Sequence, residues 1–210
     1  MLKKARTVKQ ATDRFDRAIG IFRKAGGVLR YSDAVRLGVH PDTLAKLLER
    51  EDLERVARGI YRLADLPPLS SPDLAAVAAR VPEGVVCLIS ALSFHDMTTQ
   101  IPHEVHLAVA RESRPPRIDF PPVRVYRFSD DAFSAGVEVH KIDGFAVRIY
   151  DPEKTLVDCF KFRNSIGLDV AVEALQLYRE RRKLRLKKIL GYARTCRVER
   201  VMAPYLDATL

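Results

Sequence analysis

Residues 26–63, GGVLRYSDAVRLGVHPDTLAKLLEREDLERVARGIYRL, are cut by three breaks into short elements whose order leaves few folds open. Gly26-Gly27 ends whatever precedes it, since glycine enters the left-handed C-cap conformation without a steric penalty. Val28-Leu29 reads as a short apolar strand. Ser32 is placed to cap a helix from Asp33 to Leu37, with Asp33 where a negative charge suits the helix dipole. Gly38 stops that helix. Pro41 opens the next, because the N–H that proline lacks would be unpaired in a first turn. From Pro41 to about Glu51, Leu44, Leu47 and Leu48 form one narrow apolar face, and Asp42, Thr43, Lys46, Glu49 and Arg50 lie opposite. Leu53–Ala57 and Ile60–Leu63 alternate on either side of Arg58-Gly59, which is a hairpin signal.

A helix from about Ala11 to Ala25 precedes this stretch, with Phe15, Ala18, Ile19 and Phe22 on one stripe. Residues Met1 to Lys9 are basic (Lys3, Lys4, Arg6, Lys9) and read as a frayed terminus or as an arm that touches phosphates. Strand, helix, turn, helix and basic hairpin in this order make a winged helix-turn-helix, a unit used mainly to set its second helix in the major groove of DNA. The expected DNA contacts are Ser32, Thr43, Lys46, Arg50, Arg55, Arg58 and Arg62. Thr43, near the helix start, is assigned to base edges and Arg50 to phosphate. Arg55, Arg58 and Arg62 line the wing and would grip the adjacent backbone or minor groove. Charge agrees with this placement. The 210-residue chain carries a formal net charge of +9. Residues 1–65 hold 15 Lys/Arg against 9 Asp/Glu, so most of the excess lies in the first third. An anionic partner is favoured, nucleic acid ahead of membrane.

Pro67-Pro68 lies in a natural linker, giving an expected DNA-binding domain over 1–66 and a second domain over 67–210. In the second, Ser71-Pro72-Asp73 opens a helix. Val85–Ile89 reads as a strand covered on both faces, and Ser90 as the cap of a short helix to Asp96. Strands follow at Glu104–Val109, Val123–Phe128, Val137–Ile142 and Phe145–Tyr150, the last two joined by Asp143-Gly144. From Asp151, an N-cap followed by Pro152, the chain is helical, with segments centred on Leu156, Leu175, Ile189 and Met202. The fold class is therefore α+β: a winged helix-turn-helix followed by a mixed domain with a central β-sheet and C-terminal helices.

The sequence points away from catalysis and from a bound cofactor. No GxxxxGK[ST], GxGxxG or GxSxG pattern occurs. His103-Glu104-Val105-His106 spaces its histidines at i and i+3 entering a strand, whereas the zinc motif needs i and i+4 on a helix, so no metal site is assigned. Asp151, Glu153, Lys154 and Asp158 form a charged cluster that helix capping largely explains; a carboxylate pair is the catalytic alternative. The basic run Arg179–Lys188 is either an interaction patch or a solvated helix end, and Leu184 and Leu186 imply that part of it packs. Cys87, Cys159 and Cys196 are far apart among apolar residues, as for buried reduced thiols inside a cell. No apolar run reaches the length of a membrane span and no signal peptide is visible, so a cytoplasmic location is expected.

Three stretches resemble the AbiEi family, antitoxin components of type IV toxin–antitoxin systems. Leu53–Leu63, LERVARGIYRL, is similar to the family's "rGvYrl" wing. Val86–Thr98, VCLISALSFHDMT, is similar to its "SAL…HgLT" block, with Asp96 where glycine is usual. Ile149–Asp158, IYDPEKTLVD, is similar to its "peRTlvD" block, with Lys154 where arginine is usual. The resemblance implies a transcriptional autorepressor that binds repeats in its own promoter. It further implies an antitoxin that opposes a nucleotidyltransferase-like toxin without forming a stable complex with it. The alternative is a winged-helix regulator whose second domain senses a ligand or mediates assembly.

Overall fold

The computed structural model describes residues 2–114 and 116–208, with side chains from Asp13 onward. The chain forms two units, Met1–Arg80 with Lys141–Phe145, and Val81–His140 with Ala146–Leu210. The fold is α+β.

The first unit holds α1 (Leu2–Lys24), β1 (Val28–Arg30), α2 (Tyr31–Arg36), α3 (Pro41–Glu49), β2 (Leu53–Ala57), β3 (Ile60–Leu63) and α4 (Pro72–Arg80). α1 starts nine residues before its expected Ala11, as the absence of glycine and proline from residues 2–19 permits. The side chains of Lys3, Lys4, Arg6 and Lys9 lie outside those described. β1, β3 and β2 form an antiparallel sheet in that order. Its core is Phe15, Ala18 and Phe22 from α1, Ala34 and Val39, Leu44 and Leu47 from α3, and Leu53, Tyr61 and Leu63 from the hairpin. Fully burying a side chain such as Phe22 or Leu47 stabilises the unit by about 1.5–3 kcal/mol. The Pro67-Pro68 break falls inside this unit. α4 packs on β2, Arg30 Nη2 donates to the Ala79 carbonyl at 2.7 Å, and Arg80 Nη1 donates to that of Arg58 at 3.2 Å.

The other elements are β4 (Val85–Val86), α5 (Leu88–Phe94), β5 (Val105–Ala110), β6 (Val123–Phe128), α6 (Asp130–Ser134), β7 (Val137–Ile142), β8 (Phe145–Tyr150), α7 (Pro152–Lys161), α8 (Arg163–Ile166), α9 (Leu168–Arg181), α10 (Leu186–Thr195) and α11 (Glu199–Asp207). The five strands order β6-β5-β4-β8-β7. β4 runs antiparallel to β5 and parallel to β8; β6 runs parallel to β5. The hairpin turn at Asp143-Gly144 has both residues at positive φ, 52° and 87°, the twist that two-residue hairpins prefer. Among the described residues no helix is long and apolar enough to cross a membrane. All three cysteines are buried and free.

Two local expectations are corrected. The apolar run Val85–Ile89 is only a two-residue strand, and α5 begins at Leu88 with Cys87 as its N-cap. Continuous hydrophobicity does not tell a buried strand from a buried helix. Ser90 is therefore inside α5. Its hydroxyl accepts the His106 N–H at 2.9 Å and donates to the Glu104 carbonyl at 3.3 Å, so it stitches helix to strand instead of capping.

α7 is the hub of the second unit, packing against α5, α8, α9, α10 and α11. Every residue from Glu153 to Phe160 is buried. Asp151 caps it, accepting the Lys154 N–H at 2.8 Å. Lys154 and Asp158 are fully buried and pair at 2.5 Å. The Lys154 ammonium also lies 4.1 Å from the Tyr150 ring centroid and 4.9 Å from that of Phe128. Burial pushes the Asp158 carboxyl up to about 6, against the pull of Lys154. Lys154→Met will leave that carboxylate buried and unpaired and will destabilise the protein by about 3–5 kcal/mol in urea titration. The double variant Lys154→Met/Asp158→Leu will lose much less.

Asp96 stands just past the C-cap of α5 at φ 57°, and the Met97 N–H bonds the Leu92 carbonyl at 2.8 Å. Glycine takes this left-handed position without the steric cost that a side chain brings. Asp96→Gly will raise stability by about 0.5 kcal/mol in the same titration.

Candidate nucleic-acid interface

α3 is set by its first turn. His40 is the N-cap, its Nδ1 accepting the Asp42 N–H at 3.2 Å, and Pro41 takes the first helical position. Thr43, Leu44 and Leu47 are buried, while Asp42, Ala45, Lys46 and Glu49 are exposed. α1 crosses the start of the helix. Arg14, Arg17, Ala18 and Ile21 on α1 face Gly38, Val39, His40, Asp42 and Thr43 across a cleft of about 360 Å³.

Thr43 is only 5% exposed. The outward placement expected of it is corrected: α1 covers an arc of α3 wider than its leucine face. Ser32 is exposed but lies in the first turn of α2, whose N-cap is Arg30, so its capping role is corrected too. Lys46 is exposed on the outer face. Arg50 is exposed yet engaged, pairing with Asp52 at 2.8 Å and stacking 4.5 Å over the Phe15 ring.

The hairpin forms where the alternation put it. β2 and β3 pair through Leu53↔Leu63, Glu54↔Arg62 and Arg55↔Tyr61, with an irregularity between Arg55 and Ala57. Gly59 turns the hairpin at φ 74°. Arg58 projects at the tip and is exposed; Arg55 is exposed, 5.8 Å from the Tyr61 ring. Arg62 does not join them. It is 4% exposed, ion-paired to Glu54 at 2.5 Å and donating to the Pro67 carbonyl at 2.5 Å. β3 is the centre strand and all four of its residues are buried, so the alternation that points side chains outward on an edge strand does not expose them here. Sequence reasoning missed Arg14 and Arg17. Their i, i+3 spacing on the polar side of α1 was the available signal.

The charged cluster of the second unit is a closed network. Tyr178 OH donates to Glu153 Oε1 at 2.8 Å and Tyr192 OH to Asp151 Oδ2 at 2.6 Å. Lys188 reaches Glu153 at 2.9 Å and Asp151 at 3.2 Å. Burial works against the Glu153 charge, and the bonds from Lys188 and Tyr178 outweigh it, holding this carboxyl below its usual range. Carboxylates so fully engaged fix helices to one another. Much of the basic run is spent in the same way. Arg181 donates to the Asp96 carbonyl at 2.8 Å, Arg182 to that of His95 at 3.1 Å, and Arg185 lies 3.8 Å from Glu153. His106 is buried on β5, where burial lowers its pKa, and its Nε2 is 3.6 Å from Glu104; His103 is exposed. No group of three or more His, Cys, Asp or Glu side chains among the described residues is arranged to hold a metal ion.

With this geometry in place, the comparisons with known proteins fall on the same elements. Residues 16–64 match the family described as transcriptional regulator, AbiEi antitoxin. That interval runs from α1 to the end of β3, and over it the resemblance drawn from the sequence is borne out. The chain also resembles the RV2827C protein from Mycobacterium tuberculosis in its crystal structure. The TM-score is 0.53 at 16% sequence identity, over 94% of this chain and 81% of that one. Identity that low speaks to the fold alone. No curated protein matches the chain.

Arg62→Ala will lower stability by about 1–3 kcal/mol, because it removes a buried charged donor from Glu54 and from the Pro67 carbonyl. Arg55→Ala, at an exposed position, will stay within about 0.5 kcal/mol of the parent. Thermal melts of the two variants compare these outcomes.

Proposed function

We propose that α1 to β3 act as a winged helix-turn-helix that binds double-stranded DNA, and that the chain represses transcription from its own promoter by binding repeats there. One observation carries the reading. The interval matched to the AbiEi regulator family coincides with a helix whose outer face is exposed beside a hairpin that projects Arg55 and Arg58. Lys46 lies over the groove in this arrangement, and Arg55 and Arg58 meet the neighbouring backbone. Ser32 and Arg50 lie at the margin, Arg50 held by Asp52. Residues 67–210 form the antitoxin part, which opposes a nucleotidyltransferase-like toxin without a stable complex. The chain works in the cytoplasm and without catalysis; the matched family is described as a regulator.

A second reading, in which the C-terminal part senses a ligand, draws on a cleft of about 470 Å³. His95, Glu138, His140, Glu153, Arg182 and Arg185 are among its walls, a size suited to a small molecule. Co-expression with a neighbouring nucleotidyltransferase gene separates the two: rescue of growth supports the antitoxin, and unrelieved toxicity removes it.

The test of the leading reading is a gel shift on the DNA just upstream of the gene. A retarded band at low salt is expected. Arg58→Ala will weaken binding to all sequences alike and lower the log–log salt slope by about 1, as for one lost phosphate contact. An unchanged slope would remove the wing from the interface.

A further inference from the structure

With Thr43 buried, base recognition has to come from what α3 leaves exposed. Asp42, Ala45, Lys46 and Glu49 follow one another at i, i+3, i+4 and i+7, a single face. Asp42 and Glu49 against Lys46 give this face a net negative charge. A surface of that sign is repelled by phosphate, so attraction to DNA has to come from its flanks. Both flanks are basic. Arg14 and Arg17 line the cleft at the start of α3, and Arg55 and Arg58 stand on the hairpin.

An acid in the middle of such an interface has few favourable partners. In the major groove these are the amino hydrogens of cytosine N4 and adenine N6. The Asp42 carboxylate is free to accept them. Its side chain is 78% exposed. The nearest basic side chain is His40, whose Nδ1 lies 3.7 Å from the carboxylate and accepts the Asp42 N–H. Lys46 is complementary, a donor suited to guanine O6 and N7. Four residues of helix separate the two by about 6 Å along the axis, close to two base-pair steps of about 3.4 Å. Ala45 lies between them, small enough to admit a thymine methyl.

Resting on the DNA-binding reading above, we infer that Asp42 and Lys46 select the DNA sequence, while Arg14 and Arg17 seat a backbone phosphate beside them. Asp42 reads a base that presents an amino group; Lys46 reads a guanine about two steps away. The arginines carry affinity and no sequence preference. All four side chains are exposed, so their substitution leaves the fold intact, which a thermal melt verifies.

The test is selection of the full-length chain on a library of randomised duplexes, with the bound fraction sequenced. The parent is expected to select cytosine or adenine at one position and guanine at the other. Asp42→Ala will lose the first preference and Lys46→Ala the second, each by about 10-fold. Asp42→Asn will shift the first position toward adenine, whose N6 and N7 suit an amide; a merely structural Asp42 would produce no such shift. Arg14→Ala and Arg17→Ala will keep both preferences and each lower the salt slope by about 1. Tighter binding of Asp42→Ala to every duplex, with its preference unchanged, overturns the assignment, since the acid then only repels phosphate. An unaltered salt slope in the double Arg14→Ala/Arg17→Ala variant overturns the phosphate seat. A parent chain that binds no duplex at low salt sinks the DNA-binding reading itself and this inference with it.

Discussion

A helix buried on every side has to satisfy each of its polar groups from within, and α7 is such a helix with charged residues along its first two turns. The constraint is met at its entry. The Asp151 carboxylate takes the Lys154 N–H, Tyr192 and Lys188. The Tyr150 carbonyl takes the Thr155 hydroxyl at 3.1 Å and His95 Nε2 at 2.7 Å. Because that carbonyl accepts, the His95 ring carries its hydrogen at Nε2, and burial lowers its pKa. One carbonyl thus ties the end of β8 to the end of α5, and one lysine ties α10 to the start of α7. Unpaired, any of these groups would oppose folding by about 1–3 kcal/mol, more where charged.

The two C-terminal family-like blocks acquire a physical meaning from this arrangement. His95 of the "SAL…HgLT" stretch meets the carbonyl beside the "peRTlvD" stretch. Two charged residues of that second stretch, Lys154 and Asp158, are one turn apart and partner each other. Arginine in place of Lys154 keeps the charge but needs room for a planar fork between the Tyr150 and Phe128 rings. In this chain both stretches are held by packing and by hydrogen bonds within the unit.

Much of this was legible beforehand, and unevenly so. β6, β7 and β8 came out with their expected bounds because alternation and turn residues are local signals. The proline in the first turn of α3 and the Asp151 cap of α7 were legible for the same reason. Thr43 and Arg62 were misplaced because their burial is decided by distant chain. α1 covers the first turn of α3, and β3 becomes a centre strand only when β1 pairs with it. Val85–Ile89 failed differently: five apolar residues fit a buried strand and a buried helix equally, and the choice fell to Leu88, held at φ 46° as α5 begins. The carboxylates of Asp151 and Glu153 looked like a chemical pair in sequence. Only the arrival of Tyr178, Lys188 and Tyr192 from later helices shows them fully bonded.

On the proposed DNA-binding reading, the first unit separates affinity from selectivity in a way its overall charge conceals. A recognition helix that was itself strongly basic would bind any duplex through its phosphates, and discrimination would suffer as non-specific sites competed. α3 carries more acid than base on its open face, whereas the guanidinium groups sit on α1 and on the hairpin. Arg50, the remaining cation at the end of α3, is drawn aside by its ion pair with Asp52. An uncompensated acid on a DNA-facing surface weakens binding to every sequence except one that offers it a donor. In the role inferred for it, Asp42 improves specificity by penalising wrong sites as well as by bonding the right one. The flanking arginines are what make that penalty tolerable, because they supply attraction that no sequence can withhold.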